Sequence, residues 1–106
     1  MPKVVEMFEE IKKYSFNSSR KEDKKNVVDI YEEECLDFEI GCVINYLSEL
    51  NSYETYMYVG VGKDMIISNL FYKEFNTIEE SKNEFESLKR IVEKKDLQYL
   101  LDLCKK

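Results

Sequence analysis

The sequence has no histidine and no tryptophan, and it has only three glycines, three cysteines and one proline. Without histidine the commonest general base and metal ligand is missing, which excludes Ser-His-Asp and Cys-His catalytic sites. The cysteines, at positions 35, 42 and 104, form no CxxC pair and are too few for a thiolate zinc site. We therefore predict a protein that is not an enzyme and that uses no cofactor and no metal ion.

Long apolar runs and long Gly- or Pro-rich linkers are also missing. A chain of 106 residues without linkers is expected to form a single domain, residues 1–106, that buries roughly two-thirds of its unfolded surface. No segment is long and apolar enough to cross a membrane. The first residues, MPKVVEMFEEIKKY, carry charges throughout, so no signal peptide is expected. Cysteines among apolar neighbours fit reduced core thiols, which predicts a cytoplasmic location.

Positive charge is absent from the middle third of the chain. Residues 26–62 contain no lysine or arginine and eight acidic residues, whereas residues 1–25 carry a net charge of +2 and residues 63–106 are neutral. This segment therefore has a net charge of −8, whereas the whole chain has a net charge of −6. Because such a surface repels phosphate, we expect no direct nucleic-acid binding and a basic protein as the partner.

The N-terminal residues predict a helix. Apolar residues at 4, 7, 8, 11 and 14 follow a helical stripe behind Pro2, and the helix is expected to end near residues 16–19. Residues 20–25 form a charged connection. Residues 26–34 fit either a short edge strand, through Val28 and Ile30, or a helix capped by Ser19 and Glu22.

Three strands follow. Leu36, Phe38, Ile40, Cys42, Ile44 and Tyr46 occupy alternate positions, which predicts one buried and one solvated face, and Gly41 suggests a bulge or bend. A second alternating run covers residues 53–61, and a third β-rich run covers residues 65–75. Short connections between consecutive strands predict an antiparallel meander.

The stretch GVGK at residues 60–63 is not a nucleotide loop. Met57 stands where a phosphate-binding loop needs its first glycine, and Asp64 stands where it needs a hydroxyl. We predict a hairpin turn at Lys63-Asp64, with Val61 opposite Ile66, Met57 opposite Leu70, Tyr56 opposite Phe71 and Glu54 opposite Lys73. A turn at Gly62-Lys63 is the alternative.

The C-terminal third predicts a helix or helix pair. Thr77 and Glu80 form a capping signature, and apolar residues recur at 78, 85, 88 and 92. Asp96 can cap a last short helix with an apolar face at residues 97, 100, 101 and 104. The predicted fold class is α+β: an N-terminal helix, a three-stranded antiparallel meander and C-terminal helices on one face of the sheet.

The candidate binding surface combines carboxylates and tyrosines of the predicted sheet. Its members are Glu32, Glu33, Glu34, Asp37, Glu39, Glu54, Tyr56 and Tyr58. The glutamates lack the glycine turn and ligand spacing of a calcium loop, so only weak cation binding is expected. The tyrosines either pack beneath neighbouring elements or lie on an open face, where an acidic surface with tyrosines suits a basic protein.

In its element order and acidity the chain resembles small phage anti-CRISPR proteins. That resemblance implies an acidic surface that fills the basic cleft of a nuclease, and toxin immunity proteins are a similar type. It rests on no residue motif and so implies no binding residues. The expected function is a non-enzymatic acidic inhibitor of a basic nucleic-acid-processing protein or toxin. The alternative is an assembly module that forms a homo-oligomer or joins a larger complex.

Overall fold

The fold was analysed in a computed structural model, which describes residues 2–16, 25–62 and 66–106. Its elements, in chain order, are helix α1 (Pro2–Lys12), strands β1 (Lys25–Glu34), β2 (Phe38–Leu47), β3 (Ser52–Val61) and β4 (Ile66–Phe75), and helices α2 (Ile78–Lys94) and α3 (Leu97–Cys104). None of these helices is long and apolar enough to span a membrane. The prediction of an α+β fold is confirmed.

The sheet has four antiparallel strands in the order β1-β2-β3-β4. The prediction of three strands is therefore wrong by one, and the ambiguous residues 26–34 belong to strand β1 at the edge of the sheet. The proposed helix cap by Ser19 and Glu22 lies outside the described residues. Val and Ile at positions 27, 28 and 30 explain the strand, since β-branched side chains favour extended backbone.

The two C-terminal helices begin at the predicted caps. The Thr77 hydroxyl oxygen accepts the Glu80 N–H at 3.2 Å, and the Asp96 carboxylate accepts the Tyr99 N–H at 3.1 Å. Each bond satisfies an N–H group that the first helical turn leaves without a partner. Helix α2 ends at Lys94, and its C-cap residue Lys95 has a left-handed backbone with a φ of 51°.

The hydrophobic core lies between the helices and one face of the sheet, which we call the helix face. Its members are Phe8 and Ile11 of α1, Ile40, Cys42 and Ile44 of β2, Met57 and Val59 of β3, Leu70 of β4, Phe85, Leu88 and Val92 of α2, and Leu97, Leu100 and Leu101 of α3. All three helices contribute to this one cluster. The predicted alternation of β2 is confirmed for this face.

The opposite face of the sheet, which we call the far face, is not solvated as the sequence analysis expected. Val43, Asn45 and Leu47 of β2 are buried there, and so are Glu54 and Tyr58 of β3. Alternation therefore marks which residues share a face, but it does not show that the second face meets water. On this face the Asn45 side-chain amide donates to the Glu54 carboxylate at 2.9 Å, so the presence of these two polar residues gave a misleading signal of exposure.

The pairing of β3 with β4 follows the predicted register only for its first half. Val61 stands opposite Ile66 and Met57 opposite Leu70, as predicted, but Glu54 stands opposite Glu74 rather than Lys73. The turn residues themselves, 63–65, lie outside the described residues.

A bulge in β4 causes this difference. Phe71 has a φ of 58°, so Phe71 and Tyr72 together take the place opposite Tyr56. Phe71 packs against the core on the helix face beside Leu70. Lys73 then also points to the helix face, where its ammonium lies 3.5 Å from the Glu84 carboxylate.

The three cysteine thiols are free but differ in burial. Burial raises the pKa of Cys42 to about 12, so almost none of it is thiolate at about pH 8. We expect a thiol reagent to modify Cys42 far more slowly than Cys35 in the native protein, and both at similar rates in denaturant. Peptide mapping by mass spectrometry measures this. Equal native rates would contradict the burial of Cys42.

Candidate functional site

The β1–β2 hairpin ends in a protruding segment, residues 34–39, which we call the acidic tip. Its turn is closed by a hydrogen bond from the Cys35 N–H to the Phe38 carbonyl oxygen at 2.8 Å. Leu36, at the apex, is 98% exposed. The expectation that Leu36 belongs to the buried strand face is wrong, because β2 begins only at Phe38.

Carboxylates surround the exposed Leu36. Glu34 and Glu39 stand directly opposite each other across the last pair of the β1–β2 ladder, and Asp37 lies between them in the turn. No ion pair among the described residues involves any of these three side chains. In the described part of the chain, the tip therefore presents an apolar side chain among carboxylates that form no ion pair.

A groove of about 450 Å³ runs beside the tip. Its walls are residues 34–39 and its other side is formed by Gly60 and Gly62 at the end of β3. Since the two glycines carry no side chains, a partner's backbone or a long cationic side chain can approach the sheet closely there. A groove with carboxylates on one side and glycines on the other suits a lysine or arginine side chain.

Tyr58 and Glu32 form a polar contact on the far face, next to the tip. The Tyr58 ring lies across Gly41, and its hydroxyl donates a hydrogen bond to the Glu32 carboxylate. Burial, together with this hydrogen bond, raises the pKa of Tyr58 far above its ordinary value. The predicted bulge at Gly41 is wrong: the glycine is needed because the ring passes over it. This contact fixes β1 against β3 across β2.

Glu33 does not belong to the tip surface. It points to the helix face, where it accepts a hydrogen bond from Tyr31 and lies 3.4 Å from the Lys95 ammonium. The bond from Tyr31 and the charge of Lys95 lower the pKa of Glu33, and the same bond raises the pKa of Tyr31 to about 12. Glu33 thus joins β1 to the end of α2.

Glu54 and Tyr56 lie away from the tip. Glu54 is near the other end of β3, and Tyr56 is near its middle. Glu54 is fully buried, and its carboxylate accepts a hydrogen bond from the Asn45 side chain at 2.9 Å. Tyr56 is half-buried, with its ring 5.7 Å from that of Phe16. The structure therefore brings Glu34, Asp37 and Glu39 together, places Glu32 and Tyr58 beside them, and separates Glu33, Glu54 and Tyr56 from them.

Three residues that line the groove beside the acidic tip were not among the predicted site residues: Leu36, Gly60 and Gly62. A signal for Leu36 existed, since an apolar residue between Glu34 and Asp37 can occupy a hairpin apex as well as a strand. In the described part of the chain, no group of three or more acidic or cysteine side chains is arranged to hold a metal ion.

Comparison with protein-family models, with curated protein sequences and with solved structures gives no significant match.

Proposed function

We propose that this protein is a non-enzymatic binding protein whose acidic tip docks on a basic site of another protein and blocks it. The observation that supports this most directly is the placement of Glu34 and Glu39 opposite each other beside the fully exposed Leu36. Like charges placed directly across two strands destabilise a sheet, and a large exposed apolar side chain gains nothing from solvent. Both costs are offset if a partner covers the tip.

The chemistry of the tip indicates the kind of partner. Glu34, Asp37 and Glu39 offer acceptors for lysine or arginine, while Leu36 offers the apolar contact that commonly lies at the centre of an interface. A negative surface also accelerates encounter with a basic cleft. Nucleic-acid-processing proteins and toxins have such clefts, so a cytoplasmic inhibitor of one of these, similar in type to anti-CRISPR or immunity proteins, is the proposed function.

The first test is a triple charge reversal, Glu34→Lys, Asp37→Lys and Glu39→Lys. Immobilised wild-type protein is expected to retain one or a few basic proteins from a bacterial lysate, identified by mass spectrometry and eluted by rising salt. The triple variant should bind the purified partner on the order of 100-fold more weakly, because each reversal replaces an attraction by a repulsion. Retention of the same proteins by the triple variant would contradict the proposal.

A matched control reverses three exposed carboxylates on the helices, Glu86→Lys, Glu93→Lys and Asp102→Lys. It changes the net charge by the same amount but leaves the tip intact. We expect it to bind the partner within a few-fold of wild type. Equal losses in both triple variants would mean that net charge alone, rather than the tip, governs binding. Inhibition is then measured as the loss of the partner's activity when wild-type protein is added.

A further inference from the structure

Strand β1 is a sheet edge that carries exposed β-branched side chains. Val27 is 62% exposed and Ile30 is 48% exposed, and β1 pairs with β2 on one side only. Within the described ranges no other strand bonds to its outer side. The Ile30 N–H donates to the Asp29 carboxylate within β1 at 2.9 Å. A strand edge without a neighbouring strand, beside apolar side chains, forms a template for a further strand.

The other edge of the sheet differs in this respect. The Phe16 N–H donates to the Asn69 carbonyl oxygen of β4 at 3.0 Å, and the Phe16 ring packs 4.7 Å from the ring of Tyr72. The chain itself thus occupies part of the β4 edge. Among the described residues, β1 is the more accessible of the two edges for an added strand.

The charge sequence of β1 is complementary to itself. The strand begins with Lys25 and ends with Glu32, Glu33 and Glu34. Parallel pairing of two copies would align each glutamate with its own counterpart. Antiparallel pairing brings the basic beginning of one strand to the acidic end of the other, so charge favours an antiparallel pair of identical strands.

The register of such a pair is also determined by charge. A two-fold axis at Asp29 would place this carboxylate opposite its copy, and an axis at Tyr31 would place Glu33 opposite Asp29 of the second copy. An axis at Ile30 avoids every like-charge pair.

The bulge in β1 makes the Ile30 register consistent along the whole strand. Val28 is an extra residue between Val27, which pairs with Asn45, and Asp29, which pairs with Ile44. Allowing for this extra residue, an axis at Ile30 places Glu32 opposite Val27, Glu33 opposite Asn26 and Glu34 opposite Lys25 of the second copy. In each of these pairs both residues occupy positions on the same face of the sheet, as antiparallel pairing requires.

We propose that two copies of this chain associate antiparallel through their β1 edges, with a two-fold axis at Ile30, to form a continuous eight-stranded sheet. The contact covers Ile30 and Val27 of both copies, and the two-fold symmetry places the Lys25 position of each copy opposite Glu34 of the other. Glu34 of the acidic tip lies within the paired strands, whereas the tip apex at Leu36 and Asp37 lies beyond them. The proposal does not rest on the proposed inhibitor function.

The central test is sedimentation equilibrium of wild type and of Ile30→Lys over a wide concentration range. Wild type is expected to show a monomer–dimer equilibrium. In the variant, two lysines meet at the axis, and the dimer dissociation constant should rise on the order of 100-fold. The control is Ile66→Lys on β4, where the native side chain is 56% exposed; this variant should dimerise like wild type.

A charge exchange tests the register. Lys25→Glu and Glu34→Lys should each raise the dissociation constant about tenfold or more, because each creates two like-charge pairs, and the double variant should return it close to wild type. A wild-type protein that stays monomeric up to roughly 1 mM overturns the proposal. So does a dimer that Ile30→Lys leaves intact, or one that Ile66→Lys weakens equally. Failure of the double variant to recover would reject the register.

Discussion

Replacing Gly41 by valine is expected to lower the free energy of unfolding by about 3 kcal/mol, and replacing it by alanine by about 2 kcal/mol. A Cβ atom at this position would stand 2.8 Å from Cε2 of Tyr58, and closer still to its Cζ and hydroxyl oxygen. The ring cannot keep both its place on the far face and its hydrogen bond to Glu32. Chemical denaturation followed by circular dichroism measures the loss.

The Tyr58→Leu background is the control for this prediction. Leucine lacks the outer part of the ring that would collide with a Cβ at position 41. In this background Gly41→Ala should cost less than about 1 kcal/mol, so the two substitutions are strongly non-additive. An equal cost of Gly41→Ala in both backgrounds would show that the glycine is required by its backbone and not by the tyrosine ring.

Local patterns in the sequence were sufficient to predict the two C-terminal helices and the helix face of the sheet, whereas α1 ends at Lys12, before the predicted end near residues 16–19. The caps at Thr77 and Asp96 depend on hydrogen bonds within one helical turn, and such signals are readable from neighbouring residues alone. The same holds for the alternation through Ile40, Cys42 and Ile44. These predictions succeeded because each depends on contacts that the spacing of residues already implies.

The far face and the β4 register depend on contacts between distant segments, and there the predictions failed. Glu54 looks like a surface residue because it is charged, yet it is buried, and Asn45 on the adjacent strand donates a hydrogen bond to it. Likewise, no local pattern predicts the left-handed backbone of Phe71. This conformation shifts Lys73 away from Glu54. A bulge interrupts the regular pairing of two strands and changes the direction of a side chain. Whether one forms therefore depends on tertiary packing.

The sequence located the acidic segment of the chain but did not indicate which of its carboxylates lie together. Charge counting located the acidic segment, and three of its carboxylates do gather at the tip. Which glutamates face the tip depends on strand parity, because Glu33 and Glu34 are neighbours in sequence but lie on opposite faces of β1. Once the register of the β1–β2 hairpin is known, it assigns the two glutamates to different faces.

Asn45→Leu is expected to destabilise the fold by about 2–3 kcal/mol, although the new side chain is apolar and of similar size. The Asn45 amide donates to the buried Glu54 carboxylate at 2.9 Å. Leucine removes that donor while the charge stays buried, and hydrogen bonds to charged groups contribute more than neutral ones. The stability of this variant is measured by urea denaturation beside wild type.

Tyr46→Phe provides the matched control, since it removes an exposed hydrogen bond from the Tyr46 hydroxyl to Asn51 at 2.7 Å. Water replaces that partner, so the expected change is below about 0.5 kcal/mol. Asn45→Leu should leave binding by the tip unchanged under conditions where the variant is folded, because Glu54 is buried away from Leu36 and its carboxylates. If Asn45→Leu is as stable as wild type, the hydrogen bond from Asn45 to Glu54 contributes nothing to the stability of the fold, and the prediction is contradicted.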